Sequence, residues 1–244
     1  MIPTTRATIT ALAAAVIAGA GYLGTRYLAA GVLILVLVLA WGWPRLAHVS
    51  RTTVSSLVIA GGGALALVAV ILGRSEPYLR YMVIAVAAVT IAAIASEVFF
   101  ASQQGHAVTS VSGTAAGGAI AASGAAWLAA NRTVGAEDLV VAGGVVLAVS
   151  AVAAVLTANA NVNAVLSITL GVAAGVGMGY FFPSMTWWGG ALEGLACAVA
   201  VVLTNELYRR EPRPRTLMAG IASGLTPVLV GGILVYLAGR LLVG

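Results

Sequence analysis

The sequence predicts an all-α fold: a polytopic transmembrane bundle of about eight or nine helices, forming a single integral membrane domain over residues 1–244. Three observations predict it. Hydrophobic residues make up 61% of the chain and charged residues only 8%, against roughly 25% in soluble domains, so a water-facing surface cannot be assembled. Apolar runs of about 20 residues recur along the whole length, which is the helix length that crosses a bilayer. These runs lack the polar/apolar alternation of a porin strand, and backbone groups in lipid must be paired within the chain, which leaves helices.

In chain order the runs predict helices over 7–24, 27–43, 53–73, 81–101, 107–130, 138–158, 163–182, 187–208 and 216–242. The first follows Arg6 and carries Ala18-Gly19-Ala20, which imitates a signal peptide with its cleavage site. A second apolar run follows at once and ends at Trp41-Gly42-Trp43-Pro44, so the expectation is a retained helical hairpin. Arg51 and Arg74 bracket the third helix and Arg80 opens the fourth. The fifth runs to Arg132, and the sixth follows Asp138. Asn159, Asn161 and Asn163 read as a polar turn before the seventh, which Pro183 ends. Arg209 and Arg210 close the eighth, and the ninth contains Pro227.

Nine helices place the two termini on opposite sides. One side then holds Arg6, Arg45, Arg51, Arg209, Arg210, Arg213 and Arg215, and the other Arg26, Arg74, Arg80, Arg132 and Arg240. The dense cluster from Arg209 to Arg215 predicts its side as cytoplasmic, with the N-terminus inside and the C-terminus outside. Every basic residue is Arg, and with the abundance of Ala and Gly this bias is that of a high-GC genome such as an actinobacterium's. The expected location is therefore a bacterial cytoplasmic membrane. The net charge of +5 comes from arginines scattered through connectors, which predicts topology determinants and lipid-headgroup contacts, not nucleic-acid binding.

Small residues sit where helices can touch. Gly171, Gly175 and Gly179 form two consecutive G-x-x-x-G steps, Gly190 and Gly194 a third, and Gly113 and Gly117 a fourth. Such spacing lets helix backbones approach closely in lipid, where packing drives association. Trp41, Trp43, Trp187 and Trp188 fall near helix ends, as interfacial anchors do.

Glu97 and Glu193 are the acids inside spans, and an ionisable group at that depth is a functional hypothesis by default, with transport or proton relay as its sharp form. The structural reading beside it has Glu97 capped near a helix end by Ser102 or water, and Glu193 protonated or bonded within the bundle. His48 and His106 lack Cys or carboxylate neighbours at metal-ligand spacing, so no metal or other cofactor is expected. Cys197 is the single cysteine and cannot form an intrachain disulfide.

Pro183-Ser184-Met185-Thr186-Trp187-Trp188-Gly189 resembles the Ser-Pro-Lys-Lys-Thr-Trp-Glu-Gly segment of the phosphatidate cytidylyltransferases, the CDP-diacylglycerol synthases. The opening hairpin, with Arg6 before it and Trp41-Gly42-Trp43-Pro44-Arg45-Leu46 after it, and Pro227 in the final helix are similar to that family as well. Where the family has two lysines and a glutamate, this chain has Ser184, Met185 and Trp188, and Asp138 is its only aspartate. Nucleotidyl transfer needs carboxylate-held metal and cationic clamps. The resemblance therefore implies a degenerate, inactive relative that kept the bundle and lost the chemistry.

The leading expectation is a non-catalytic accessory or scaffolding subunit that binds membrane lipids and other integral membrane subunits, an actinobacterial respiratory supercomplex being one such partner. A small transporter using Glu193 or Glu97 is the alternative, and a phospholipid enzyme of the cytidylyltransferase type the third.

Overall fold

The computed structural model describes residues 3–99, 107–133, 137–212, 214 and 216–243; Ser102, His106, Arg213 and Arg215 lie outside them. Among the described residues every regular element is helical: α1 (Pro3–Leu23), α2 (Thr25–Leu46), α3 (Thr52–Leu72), α4 (Met82–Phe99), α5 (Ala107–Ser123), α6 (Ala125–Arg132), α7 (Glu137–Ala153), α8 (Ala160–Phe181), α9 (Trp187–Arg210) and α10 (Leu217–Val243). Seven of them are long and apolar enough to cross a membrane, and this is a multi-pass membrane protein. Gly124 alone separates α5 from α6. Its N–H bonds the Ala121 carbonyl at 3.2 Å and its carbonyl accepts from Trp127 N–H at 3.3 Å, the tightened spacing of a 3₁₀ joint. The pair therefore continues as one rod, and the nine predicted spans correspond to nine rods.

Two boundaries move for a local reason. Helix α7 ends at Ala153 instead of 158 and α8 begins at Ala160 instead of 163. Asn163 draws Thr157 onto itself, accepting from its N–H (2.8 Å) and its hydroxyl (2.7 Å) while donating to its carbonyl (2.8 Å). Asn159 caps α8 by accepting from Asn161 N–H at 2.9 Å. The asparagine run is thus a cap and a first turn.

The rods alternate in direction, which gathers charge at two ends. At the first, Arg6 lies over the Tyr208 ring at 4.9 Å and shares cavities with Arg45, His48 and Arg209. At the second, Arg132 donates to the carbonyls of Val70, Ile71 (2.9 Å) and Gly73 (3.0 Å), closing the C-terminus of α3, and Arg240 pairs with Glu76 at 2.7 Å. The partition of arginines is the predicted one for all those described. These are called below the Arg6 end and the Arg132 end.

Helix α6 lies at the centre, with Ala125 to Asn131 all buried. Around it, helices meet through missing side chains. A Cβ on Gly62 or Gly118 would strike Val89 of α4, and one on Gly63 would lie 2.5 Å from Val36. Trp43, expected as an interfacial anchor, turns inward against Gly117, and its indole N–H donates to the Gly113 carbonyl at 2.8 Å. Trp41, Trp187 and Trp188 are exposed at the bundle ends, as anchors are.

The tightest contact joins α8 to α9. Gly175 meets Gly190 so that a Cβ on either would strike the other's carbonyl oxygen; one on Gly194 would lie 2.6 Å from the Gly171 oxygen, and one on Gly179 2.6 Å from the Thr186 oxygen. The G-x-x-x-G steps noted in the sequence thus mesh as an antiparallel backbone-on-backbone pair.

Candidate functional site

Thr186 starts α9, its hydroxyl accepting from Gly189 N–H at 3.2 Å, after Pro183 has ended the preceding turn. Seven residues on, about 10 Å along the axis, stands Glu193. Its side chain is 1% exposed. Because Gly190 and Gly194 are pressed against α8, the carboxyl on the neighbouring face of the helix is directed into the bundle, away from lipid.

The niche that receives it is shaped by Gly143 of α7. A Cβ there would lie 2.8 Å from Glu193 Oε1, 2.7 Å from Val235 Cγ2 of α10 and 3.2 Å from the Trp127 ring of α6. Trp127 is itself fixed, its indole N–H donating to the Val228 carbonyl at 2.8 Å. Neither carboxyl oxygen has a hydrogen-bond partner among the described residues. Each buried polar atom left so costs about 1–3 kcal/mol, and an unpaired buried charge several more. The site is an acid enclosed by an indole, a valine and a glycine at the meeting of α6, α7, α9 and α10.

The structure separates the two acids picked out in the sequence. Glu97 lies in the last turn of α4, at the Arg6 end, with one buried oxygen lacking a partner among the described residues. Glu193 lies nearer the Arg132 end. Trp187 and Trp188 stand exposed on the first turn of α9. Ser184 donates to Asp138, so the only aspartate sits beside the segment that resembles the cytidylyltransferases, while Met185 is buried. Among the described residues no three of His, Cys, Asp and Glu gather closely enough to hold a metal ion.

Gly143, Trp127 and Val235 were not legible as site residues, because they join Glu193 only through folding. The one local signal was the doubled Gly143-Gly144 inside an apolar run, which marks a close approach. Gly144 makes its own, beneath Ala18 and the Ala14 carbonyl of α1.

Comparison of the chain with protein-family models, with curated proteins and with solved structures finds no match.

Proposed function

We propose that this membrane protein moves protons, alone or coupled to a solute, across a bacterial cytoplasmic membrane, with Glu193 as the proton-carrying group. One observation carries the reading: a carboxyl that is enclosed within a membrane bundle and has no partner for either oxygen among the described residues. Burial without a partner is costly to folding, and intramembrane acids of this kind mark ion and proton pathways. The test is purified protein in liposomes bearing a pH gradient, read with an enclosed pH dye. Wild type should dissipate the gradient faster than empty liposomes, and Glu193→Gln should lower that rate at least about tenfold, the effect of about 1.4 kcal/mol on a barrier. Equal rates in wild type and Glu193→Gln would sink the reading.

The accessory-subunit reading is favoured by α4. Among the described residues this helix packs chiefly on α3 and α5 and leaves Val83, Ile84, Ile91 and Val98 exposed, a face that lipid or another integral subunit would cover. Extraction from native membrane in mild detergent separates the two: a protein that runs alone and monomeric argues against a resident complex, whether respiratory or other.

A further inference from the structure

We infer that protons reach Glu193 from the Arg6 end, through the seam where α7, α8 and α9 meet; this rests on the reading of Glu193 as the proton-carrying group. The seam opens at that end into a cavity of about 480 Å³, lined by Arg6, Thr157, Asn163, Asn205, Glu206 and Arg209 among others. From its floor, successive helical turns present a polar side chain to the interior. Asn163 of α8 comes first. One turn deeper on the same helix is Ser167, fully buried, whose hydroxyl donates to the Ser150 carbonyl at 2.9 Å. Ser150 of α7 is fully buried too, and its own hydroxyl has no partner among the described residues. It lies against Gly171, where α8 offers no side chain and α9 places Gly194 and Ala198 beside the same glycine. Two turns further along α7, about 10 Å, is Gly143 with the Glu193 carboxyl on it.

Seven buried side-chain atoms lack a partner among the described residues, and four of them fall on this line: Arg6 Nε, Ser150 Oγ and both Glu193 oxygens. Such atoms in native interiors are bonded by internal water, each molecule making about three hydrogen bonds. Ser150 and Glu193 are the groups that a short file of water would join. On the other side of Glu193, Gly175 and Gly190, then Gly179 and Thr186, bring α8 and α9 into backbone contact as Gly171 and Gly194 do on the Arg6 side, and α7 presents the buried apolar Leu139 and Val140 where the Arg6 side has Ser150.

The step is a plain protonation: a carboxylate oxygen takes a proton from a hydronium at the end of the file, one O–H bond forms as the hydronium's O–H bond breaks and leaves water, and no oxidation state changes. The nearest titratable neighbours are Cys197, one turn along α9, and Tyr236, beside Val235 on α10. Three charged groups on the other packed elements are engaged elsewhere, Arg240 of α10 among them, paired with Glu76. Asp138 of α7 accepts from Ser184, and Arg132 of α6 is held on the carbonyls of α3.

The experiment is a pH jump on the full chain in liposomes, followed by time-resolved infrared spectroscopy of the carboxyl bands that disappear in Glu193→Gln. Ser150→Val, which fills the seam, and the double variant Ser150→Ala/Ser167→Ala, which removes its hydroxyls without added bulk, should both slow the Glu193 response at least about tenfold. Ser110→Ala should not, because Ser110 is a buried hydroxyl on α5 without a partner among the described residues, off the line. Unchanged rates in both seam variants, with proton flux still lost in Glu193→Gln, would overturn the route and leave the reading of Glu193 standing. Flux unaffected by Glu193→Gln would overturn that reading instead. A wild-type Glu193 band that never responds to pH would overturn both.

Discussion

Gly143 and Glu193 compete for one volume, so their substitutions should couple. Gly143→Ala places a methyl group within 2.8 Å of the carboxyl oxygen and 2.7 Å of Val235, and overpacking of this kind costs about 1–3 kcal/mol. Unfolding in detergent should register that loss in Gly143→Ala, and Glu193→Ala should recover about 0.5 kcal/mol or more of it in the double variant. Strict additivity would place the carboxyl elsewhere. Glu193→Gln, by contrast, keeps size and polarity, so size-resolved yield should equal that of wild type while proton flux is lost. Glu193 itself was legible in the sequence, since an acid in an apolar run stands out whatever surrounds it. Its setting was not, because Trp127, Gly143 and Val235 are distributed over three other helices and nothing local marks them as neighbours.

At the scale of the helix, burial of glycine is what distinguishes otherwise equivalent positions. Gly177 lies on α8 between Gly175 and Gly179, yet a Cβ there meets nothing within 4 Å, whereas one on Gly175 would strike the carbonyl of Gly190. Gly175→Leu, Gly190→Leu and Gly194→Leu should therefore sharply reduce the yield of monodisperse protein, and Gly177→Leu should leave it near wild type. Loss of folded protein in Gly177→Leu alone would mean that the outward face is the packed one. The spans themselves were readable, because twenty apolar residues between arginines admit one solution in lipid. What escaped was set by single side chains. Asn163 unwinds the end of α7 by taking Thr157, Gly124 tightens the rod between α5 and α6, and Trp43 leaves the interface for a pocket that Gly117 opens. None of these follows from hydropathy, which does not register where a hydrogen bond will be satisfied.

For the molecule as a whole, charge and aromatic residues define two unlike ends. Tyr22, Tyr27, Tyr81, Tyr180, Trp187 and Trp188 are exposed at helix ends on the Arg132 side, where amphipathic rings mark one membrane–water boundary, whereas Trp41 is the exposed tryptophan of the Arg6 side. The Arg6 end carries Arg45, Arg51, Arg209 and Arg210, with Glu206 pairing to the last two on the surface at 2.8 and 3.4 Å. Those exposed pairs add at most about 1 kcal/mol each, so the role expected of these arginines is orientation in the membrane and attraction to anionic lipid. The positive-inside rule predicts the Arg6 end in the cytoplasm, and alternation of the nine rods then predicts the 74–76 turn on the far side. Cys197 is fully buried, so it gives no background to cysteine labelling. In intact cells an impermeant thiol reagent should modify Ser75→Cys, which is exposed, and leave Pro212→Cys untouched until the membrane is opened. The converse pattern would invert the molecule and make the seam to Glu193 an entry from outside. Labelling of both positions from one side would break the alternation of rods on which the two ends depend.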